Sequence, residues 1–205
     1  MLPLLLDLRG KRIAVLGAGK VGLRKARYLS QEAEVRLVDR EAPRSEVSGA
    51  QFVQADLHES FSAFVSTADM VVAATDDEEL NSQIEREAKV RGKWCNRADG
   101  MSTFLIPSVV RRDGFIIAVS TEGRSPAMSR FIREWLEQSI PKEFEDMVRL
   151  QEKLRSWAKE NIKGQERRED FLWSVLKDDE VWNALRTNSQ AAFELAVSKW
   201  RERDG

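Results

Sequence analysis

The chain has a single cysteine, Cys95, and a single histidine, His58. No disulfide can close within it, and a Cys/His metal cage cannot be assembled from these two side chains. A lone thiol without a disulfide framework suits a reducing cytosol. Charge of either sign is not in excess: 33 Lys+Arg face 34 Asp+Glu, for a net charge of -1. A global field that would draw nucleic acid or an acidic membrane surface is therefore missing. No apolar run approaches the roughly 18 residues of a membrane span. The opening Met1-Leu2-Pro3-Leu4-Leu5-Leu6 has no basic leader, is broken by Pro3 and meets Asp7 without a small-residue cleavage site, so it does not read as a signal peptide. These absences predict a soluble, cytoplasmic protein with no nucleic-acid or membrane partner. What is present is 205 residues, 42% of them hydrophobic. That is enough for one medium domain with an appendage, or for two small ones.

The first hundred residues alternate short apolar runs with helical stretches. Ile13-Ala14-Val15-Leu16 reads as a buried strand ending at glycine, and Lys20 to Ser30 sets Val21, Ala26 and Leu29 at roughly helical spacing. Further strand signals lie at Val35–Val38, Gln51–Val53, Met70–Ala74 and Lys93–Asn96, while Leu80, Ile84 and Ala88 share one helix face. This rhythm predicts a parallel sheet wrapped by helices, an α/β domain over residues 1–100. After Asp99 the pattern changes. Phe104-Leu105-Ile106 and Phe115–Val119, joined through Arg111-Arg112-Asp113-Gly114, predict an antiparallel pair, with Pro107 at an edge or strand end. Ser125 and Pro126 have the N-cap and first-turn identities of a helix that should stop before Pro141. Apolar stripes then predict helices around Phe144–Ala158, Phe171–Leu176, Val181–Leu185 and Ala192–Trp200. The expected organisation is a domain of residues 1–100, an α+β segment over 101–140 and a helical domain over 141–205. Five of the six tryptophans follow Phe131 and are expected to anchor the helical core.

Gly17-Ala18-Gly19-Lys20-Val21-Gly22 matches G-x-G-x-x-G directly after a strand and at the start of a helix, the context that makes the motif informative. Gly17 permits a tight turn, Gly19 lets a pyrophosphate approach the backbone, and Gly22 allows close helix–strand packing. The helix start offers unpaired N–H groups to the phosphates. Asp39, about 20 residues on, stands where a carboxylate accepts from the ribose hydroxyls and repels a 2′-phosphate. This favours NAD, although Arg40 next to it could meet a 2′-phosphate. Thr75-Asp76-Asp77 follows the fourth strand, at the edge where open α/β sheets bind ligands. There Thr75 is a candidate cofactor contact, whereas Asp76 and Asp77 read as helix caps. Cys95 reads as an apolar filler, and His58 shows no partner.

Several motifs in order carry a wider resemblance. Leu2-Pro3-Leu4-Leu5-Leu6-Asp7-Leu8-Arg9-Gly10-Lys11 leads into the glycine loop, followed by Arg24-Lys25-Ala26-Arg27. Ala73-Ala74-Thr75-Asp76-Asp77 with Asn81 comes next, then Cys95-Asn96-Arg97-Ala98-Asp99, Phe104-Leu105-Ile106-Pro107-Ser108 and Ala118-Val119-Ser120-Thr121-Glu122-Gly123-Arg124-Ser125-Pro126. Over about residues 1–140 the chain resembles the siroheme synthase family, in particular its precorrin-2 dehydrogenase/sirohydrochlorin ferrochelatase module. The resemblance implies a Rossmann-type NAD-binding domain, a dimerisation segment and a helical C-terminal domain. It implies oxidation of precorrin-2 to sirohydrochlorin with hydride transfer to NAD⁺, in some members followed by Fe²⁺ insertion, and it implies a homodimer. Asp99 falls on the family's aspartate. A carboxylate there suits both proton removal and a transient hold on Fe²⁺.

The cofactor residues expected on this basis are Gly17, Gly19, Lys20, Val21, Gly22, Asp39, Arg40 and Thr75. For a substrate fringed with carboxylates, Asn96, Arg97, Arg124, Ser125 and Arg130 are the candidates. Two departures stand out: Ala18 replaces a third consecutive glycine, and Glu122 adds negative charge where a polyanion should dock. The competing reading from another functional class is an NAD(H)-sensing regulatory domain without catalysis. Asp99 and the Phe104–Pro126 stretch, which a sensor does not need, argue against it.

Overall fold

The computed structural model describes residues 1–100 and 102–204. They form two compact units, Met1–Ile106 and Pro107–Gly205. In the first unit, β1 (Arg12–Leu16), β2 (Glu34–Asp39), β3 (Ala50–Gln54), β4 (Met70–Ala73) and β5 (Trp94–Arg97) make one sheet in the order β3-β2-β1-β4-β5. Every pairing in it is parallel. Parallel strands need covering on both faces, and here each face has its own core. On one side Ile13, Val15, Leu37 and Val72 pack with Ala26 and Leu29 of α1 (Lys20–Leu29). On the other, Ala14, Leu16, Val71 and Ala73 pack with Val65 of α2 (Leu57–Thr67) and with Leu80, Ile84 and Ala88 of α3 (Glu78–Val90). The strand order reverses between β1 and β4, so the loops after these two strands part and leave a crevice at the carboxyl edge.

The expected strands and α1 and α3 form with their ends moved by a residue or two. The helix α2 carried no strong signal, because Ser, His and Glu are interleaved with its apolar residues Leu57, Phe61, Phe64 and Val65. It is capped by Asp56, which accepts from the His58 N–H at 2.9 Å.

In the second unit the antiparallel pair forms with a corrected first strand. β6 is Ser108–Arg112 and β7 is Phe115–Val119, with Arg112 opposite Phe115. A two-residue Asp113-Gly114 turn, with Gly114 at φ 88°, demands that its immediate neighbours pair, and this carries the ladder back only to Ser108. The apolar run before Pro107 is a burial signal instead: Phe104 and Ile106 pack on the core of the first unit.

Helix α4 (Pro126–Ser139) packs against β6 and β7. Then α5 (Glu143–Asn161), α6 (Gln165–Leu176), α7 (Asp179–Thr187) and α8 (Ser189–Asp204) enclose Leu150, Leu154, Phe171, Val181 and Ala192. Phe171 is fully buried between Trp157 and Trp200, at ring-centroid distances of 5.4 and 5.2 Å. The expectation for the tryptophans needs correction. Trp157, Trp182 and Trp200 pack on the helical core, but Trp135 is 59% and Trp173 57% exposed. Trp173 lies on the side of α6 away from Phe171 and Val175, and the Lys177 ammonium stands 5.8 Å from its ring centroid. Trp135 shares an outward stripe of α4 with Met128 and Phe131, both exposed.

Candidate active site

The glycine loop is built as its spacing demands. Gly17 has φ 104°, and a Cβ there would lie 2.4 Å from the Ala74 carbonyl oxygen. A Cβ at Gly22 would lie 1.8 Å from the Gly17 oxygen, so α1 can press onto the loop only without a side chain. Gly19 differs: nothing lies within 4 Å of its Cβ position. It is the N-cap of α1, makes no side-chain cap and is followed by no acidic residue in the first turn. By contrast α2, α3 and α7 are capped by aspartates. The α1 start thus presents bare N–H groups and the positive end of its dipole to open space. These features fit a dinucleotide pyrophosphate. Asp39, at the end of β2, turns its carboxylate to the loop and accepts from the Ala18 N–H at 2.5 Å and the Glu41 N–H at 3.2 Å. Lys20, Val21 and Arg40 are exposed around this crevice.

A second cluster sits at the carboxyl ends of β4 and β5, and its centre is Asn81. This side chain is 1% exposed and all of its hydrogen-bonding capacity toward its neighbours is engaged. Its Oδ1 accepts from the Thr75 N–H at 3.1 Å and from the Thr75 hydroxyl at 2.8 Å. Its Nδ2 donates to the Thr75 carbonyl and to Asp99 Oδ2, each at 3.1 Å. Asp77 caps α3 by accepting from Glu79 and Leu80 N–H groups, which sets Asn81 one turn into the helix. The same Asp77 supplies the partner that the sequence did not reveal for His58, whose Nε2 lies 3.5 Å from Asp77 Oδ2.

Asp99 is bound on its other oxygen as well, where Arg97 Nε donates at 2.7 Å. Arg97 is held in turn by Glu85 of α3 at 3.0 Å. Burial alone would raise the Asp99 carboxyl; the hydrogen bonds from Arg97 and Asn81 outweigh it and hold the group below the usual aspartate range. Each oxygen keeps a lone pair for another partner, and the side chain is 22% exposed, so the ionised group remains reachable. Arg97, a candidate for substrate carboxylates, spends its guanidinium on Glu85 and Asp99. Asn96 donates to the Phe104 carbonyl at 2.8 Å, but its buried Oδ1 has no donor among the described residues. Such an orphan acceptor is costly unless a ligand or water meets it. Burial, with Glu85 adding to it, pushes the Cys95 thiol up to about 11, consistent with a filler.

The structure therefore gathers Gly17, Gly19, Gly22, Asp39, Thr75, Asn96, Arg97 and Asp99 along one sheet edge of the first unit. The other substrate candidates, Arg124, Ser125 and Arg130, belong to the second unit. Ser125 caps α4 by accepting from the Met128 N–H at 3.2 Å. Arg124 lies 3.6 Å from Glu122, and Arg130 pairs with Glu134 at 2.8 Å. Asn81 and Glu85 were given no role from sequence; their signal is the i, i+4 spacing on the helix that also carries Ile84 and Ala88, with both polar side chains facing the end of β5. Among the described residues no group of three or more His, Cys, Asp or Glu side chains is placed to hold a metal ion. Nor is any helix among them long and apolar enough to cross a membrane.

Comparison with known proteins agrees with this architecture. Residues 4–108 match a family described as NAD(P)-binding. A precorrin-2 dehydrogenase of Methanosarcina barkeri is 36% identical over 206 aligned residues, which cover 96% of this chain and 92% of that protein. A siroheme synthase of Pseudomonas fluorescens is 32% identical over 97% of this chain, which spans 44% of that longer protein. In fold, the chain matches the solved structure of SirC, a precorrin-2 dehydrogenase, with a TM-score of 0.72 at 20% identity, over 98% of this chain and all of that one. An NAD(P)-binding match that takes in the Asn81–Asp99 cluster, with a relative this similar along nearly its whole length, assigns the chain to the precorrin-2 dehydrogenase family.

Proposed function

We propose that this protein oxidises precorrin-2 to sirohydrochlorin, with NAD⁺ as the hydride acceptor, in siroheme or related tetrapyrrole biosynthesis. The observation that carries the reading is an ionised, reachable carboxylate, Asp99, fixed between Arg97 and Asn81 on the same sheet edge as the dinucleotide loop. When bound, the nicotinamide supplies the two-electron acceptor. The chain's part is to bind, orient and take up the proton. The Gly19 turn and the α1 N-terminus receive the pyrophosphate, and Lys20 and Val21 flank it. Asp39 receives the ribose hydroxyls and disfavours a 2′-phosphate. Its carboxylate already faces the loop N–H groups, which supports NAD over NADP in spite of the neighbouring Arg40. Thr75, held by Asn81, lines the cofactor side of the same edge.

As hydride leaves the macrocycle a proton must also leave, and an Asp99 oxygen is the acceptor in this reading. Its lowered pKa keeps it ionised throughout the neutral range, so the acceptor needs no prior deprotonation. Asn96 Oδ1, which lacks a donor among the described residues, would accept from a substrate N–H. Arg124, Ser125 and Arg130 are proposed for the substrate's carboxylates on the motif resemblance alone. A domain that only sensed NAD(H) would have no use for a carboxylate held in this way.

The test is purified protein with precorrin-2 and NAD⁺, followed optically, then repeated with Asp99→Ala. NADH should form with the wild type, and the variant should lose about 100-fold or more in kcat, the usual scale for a positioned base. Unimpaired turnover by the variant removes Asp99 from the mechanism. Adding Fe²⁺ as a substrate to sirohydrochlorin, with the wild type and with Asp99→Ala compared, decides whether the same carboxylate also accepts pyrrole protons and briefly holds the ion at metal insertion. We also propose a cytoplasmic homodimer in which the segment 101–140 forms the interface. The exposed Met128, Phe131 and Trp135 stripe of α4 supports it, since such an apolar stripe calls for a partner surface.

A further inference from the structure

Every arginine that sequence reading offered to the substrate already faces a carboxylate of its own chain: Arg97 has Glu85 and Asp99, Arg124 has Glu122, and Arg130 has Glu134. A polyanion bound to these groups alone would have to compete with resident acids. The helix α1 carries a cation of a different kind. Gly22, Ala26 and Leu29 form its buried, sheet-facing stripe, and Lys25 lies on the same stripe, one turn from Gly22 and one from Leu29. Lys25 is half-buried, whereas Lys20, Arg24 and Arg40 around the crevice are exposed. Among the described residues it makes no hydrogen bond and no ion pair, yet its ammonium lies within the field of Asp99.

A half-buried ammonium without a counterion costs free energy unless a ligand completes it. Burial, reinforced by Arg24 and opposed by Cys95 and Asp99, pushes this amine down to about 8. The same face of the sheet carries a second unfinished group. Asn96 stands opposite Val72 in the β4–β5 register, and Val72 belongs to the core that packs on α1. Its Oδ1 is buried, with no donor among the described residues. An unpaired cation and an unpaired acceptor on one face, beside Asp99, match a ligand that brings both carboxylates and N–H groups. The pyrophosphate is already provided for at the Gly19 turn, where the space is open.

We infer that Lys25 is a substrate-binding residue of this site, forming a salt bridge with a peripheral carboxylate of the tetrapyrrole and so presenting the macrocycle to Asp99. The inference rests on the precorrin-2 reading for the identity of the substrate. It is tested on the full chain with Lys25→Met and Lys25→Arg, by three measurements. These are steady-state kinetics with precorrin-2, fluorescence-monitored binding of uroporphyrin as a stable carboxylate-fringed macrocycle, and the NAD⁺ Kd. The expected result for K25M is a loss of about tenfold or more in uroporphyrin affinity, the scale of a lost charge-assisted contact. The precorrin-2 KM should rise more than kcat falls, the NAD⁺ Kd should not change, and K25R should recover most of the loss. Uroporphyrin affinity unchanged in K25M overturns the inference, as does an equal loss of NAD⁺ affinity, which would place the amine on the cofactor. A wild type that binds uroporphyrin but never oxidises precorrin-2 refutes the functional reading instead, and the binding comparison still decides the role of Lys25. Removing an unpaired half-buried charge costs the fold nothing, so a Tm no lower than that of the wild type accompanies the expected result.

Discussion

Replacing Asn81 with aspartate puts a second carboxylate where an amide nitrogen now donates to Asp99. The amide Nδ2 lies 3.1 Å from both Asp99 Oδ2 and the Thr75 carbonyl, so the variant exchanges two hydrogen bonds for two oxygen–oxygen repulsions. At 1% exposure the side chain has no water to separate the charges. Coulomb's law at this spacing and an effective dielectric of about 20 gives a repulsion of about 5 kcal/mol. The Arg97 guanidinium on the far oxygen and the open side of Asp99 screen part of it, leaving about 2–3 kcal/mol of lost stability at neutral pH. The two acids relieve the strain by sharing a proton, so the pair's folded pKa is raised above that of unfolded carboxylates. The folded variant then binds the extra proton, and it regains stability as pH falls through the raised value. Wild-type Asp99 has the opposite sign: its pKa is lowered, so its contribution is present above the unfolded carboxylate range and lost on acidification.

Urea unfolding reads this directly. With an m of about 2 kcal/mol/M, the N81D midpoint should fall by about 1 M at about pH 8, and most of the gap should close by about pH 5.5. Asn81→Leu, which removes the bonds without adding charge, should be destabilised equally at both pH values. Equal midpoints for wild type and N81D at the higher pH would refute the reasoning, and so would a gap that widens on acidification.

The two glycines of the loop should separate binding from folding. Gly19→Ala meets open space and should fold like the wild type while losing about tenfold in NAD⁺ affinity by calorimetry, whereas Gly22→Ala must displace the Gly17 carbonyl and should lower stability by about 2 kcal/mol or more. Asp39→Ser should narrow the preference for NAD⁺ over NADP⁺ in kcat/KM by about tenfold, and no change in that ratio would remove Asp39 from cofactor selection. In the helical unit Asp178 caps α7 and meets the Lys199 ammonium at 2.7 Å. Burial would raise its pKa, but Lys199 and the Val181 and Glu180 N–H groups lower it, so its contribution is present above the unfolded carboxylate range and fades as pH falls through its lowered value. Asp178→Ala should cost about 1–2 kcal/mol near neutral pH by thermal unfolding, and less in strong acid. Phe131→Glu on the α4 stripe should shift the molar mass in light scattering toward the monomer; an unchanged mass would exclude that stripe as the interface.

Local chemistry made a large part of this protein legible in its sequence. Gly17, Gly19 and Gly22 announce their turn because steric demands on a glycine belong to the backbone and to the next few residues. The parallel sheet is visible because strands buried on both faces are continuous apolar runs such as Ile13–Leu16 and Met70–Ala73. Ser125 and Pro126 mark the α4 start for the same local reason, and Asp99 was found through the motifs around it.

Partnership is different, since it is decided by residues distant along the chain. Asn81 becomes the link between Thr75 and Asp99 only when α3 lies against the ends of β4 and β5. Arg97 turns out to be engaged, and Lys25 unpaired among the described residues, through contacts that no spacing encodes. The apolar run at Phe104–Ile106 signals burial equally well in a strand or in a packed loop, and only the Asp113-Gly114 turn sets which residues pair. Trp135 and Trp173 read as core by composition, but the side of the helix each occupies relative to its neighbours leaves them in solvent. The sequence alone determined that a dinucleotide loop and a carboxylate would meet at a parallel-sheet edge. Tertiary packing decided which charges there are neutralised by the protein itself and which are left for a ligand, because pairing depends on distances that only the folded chain defines.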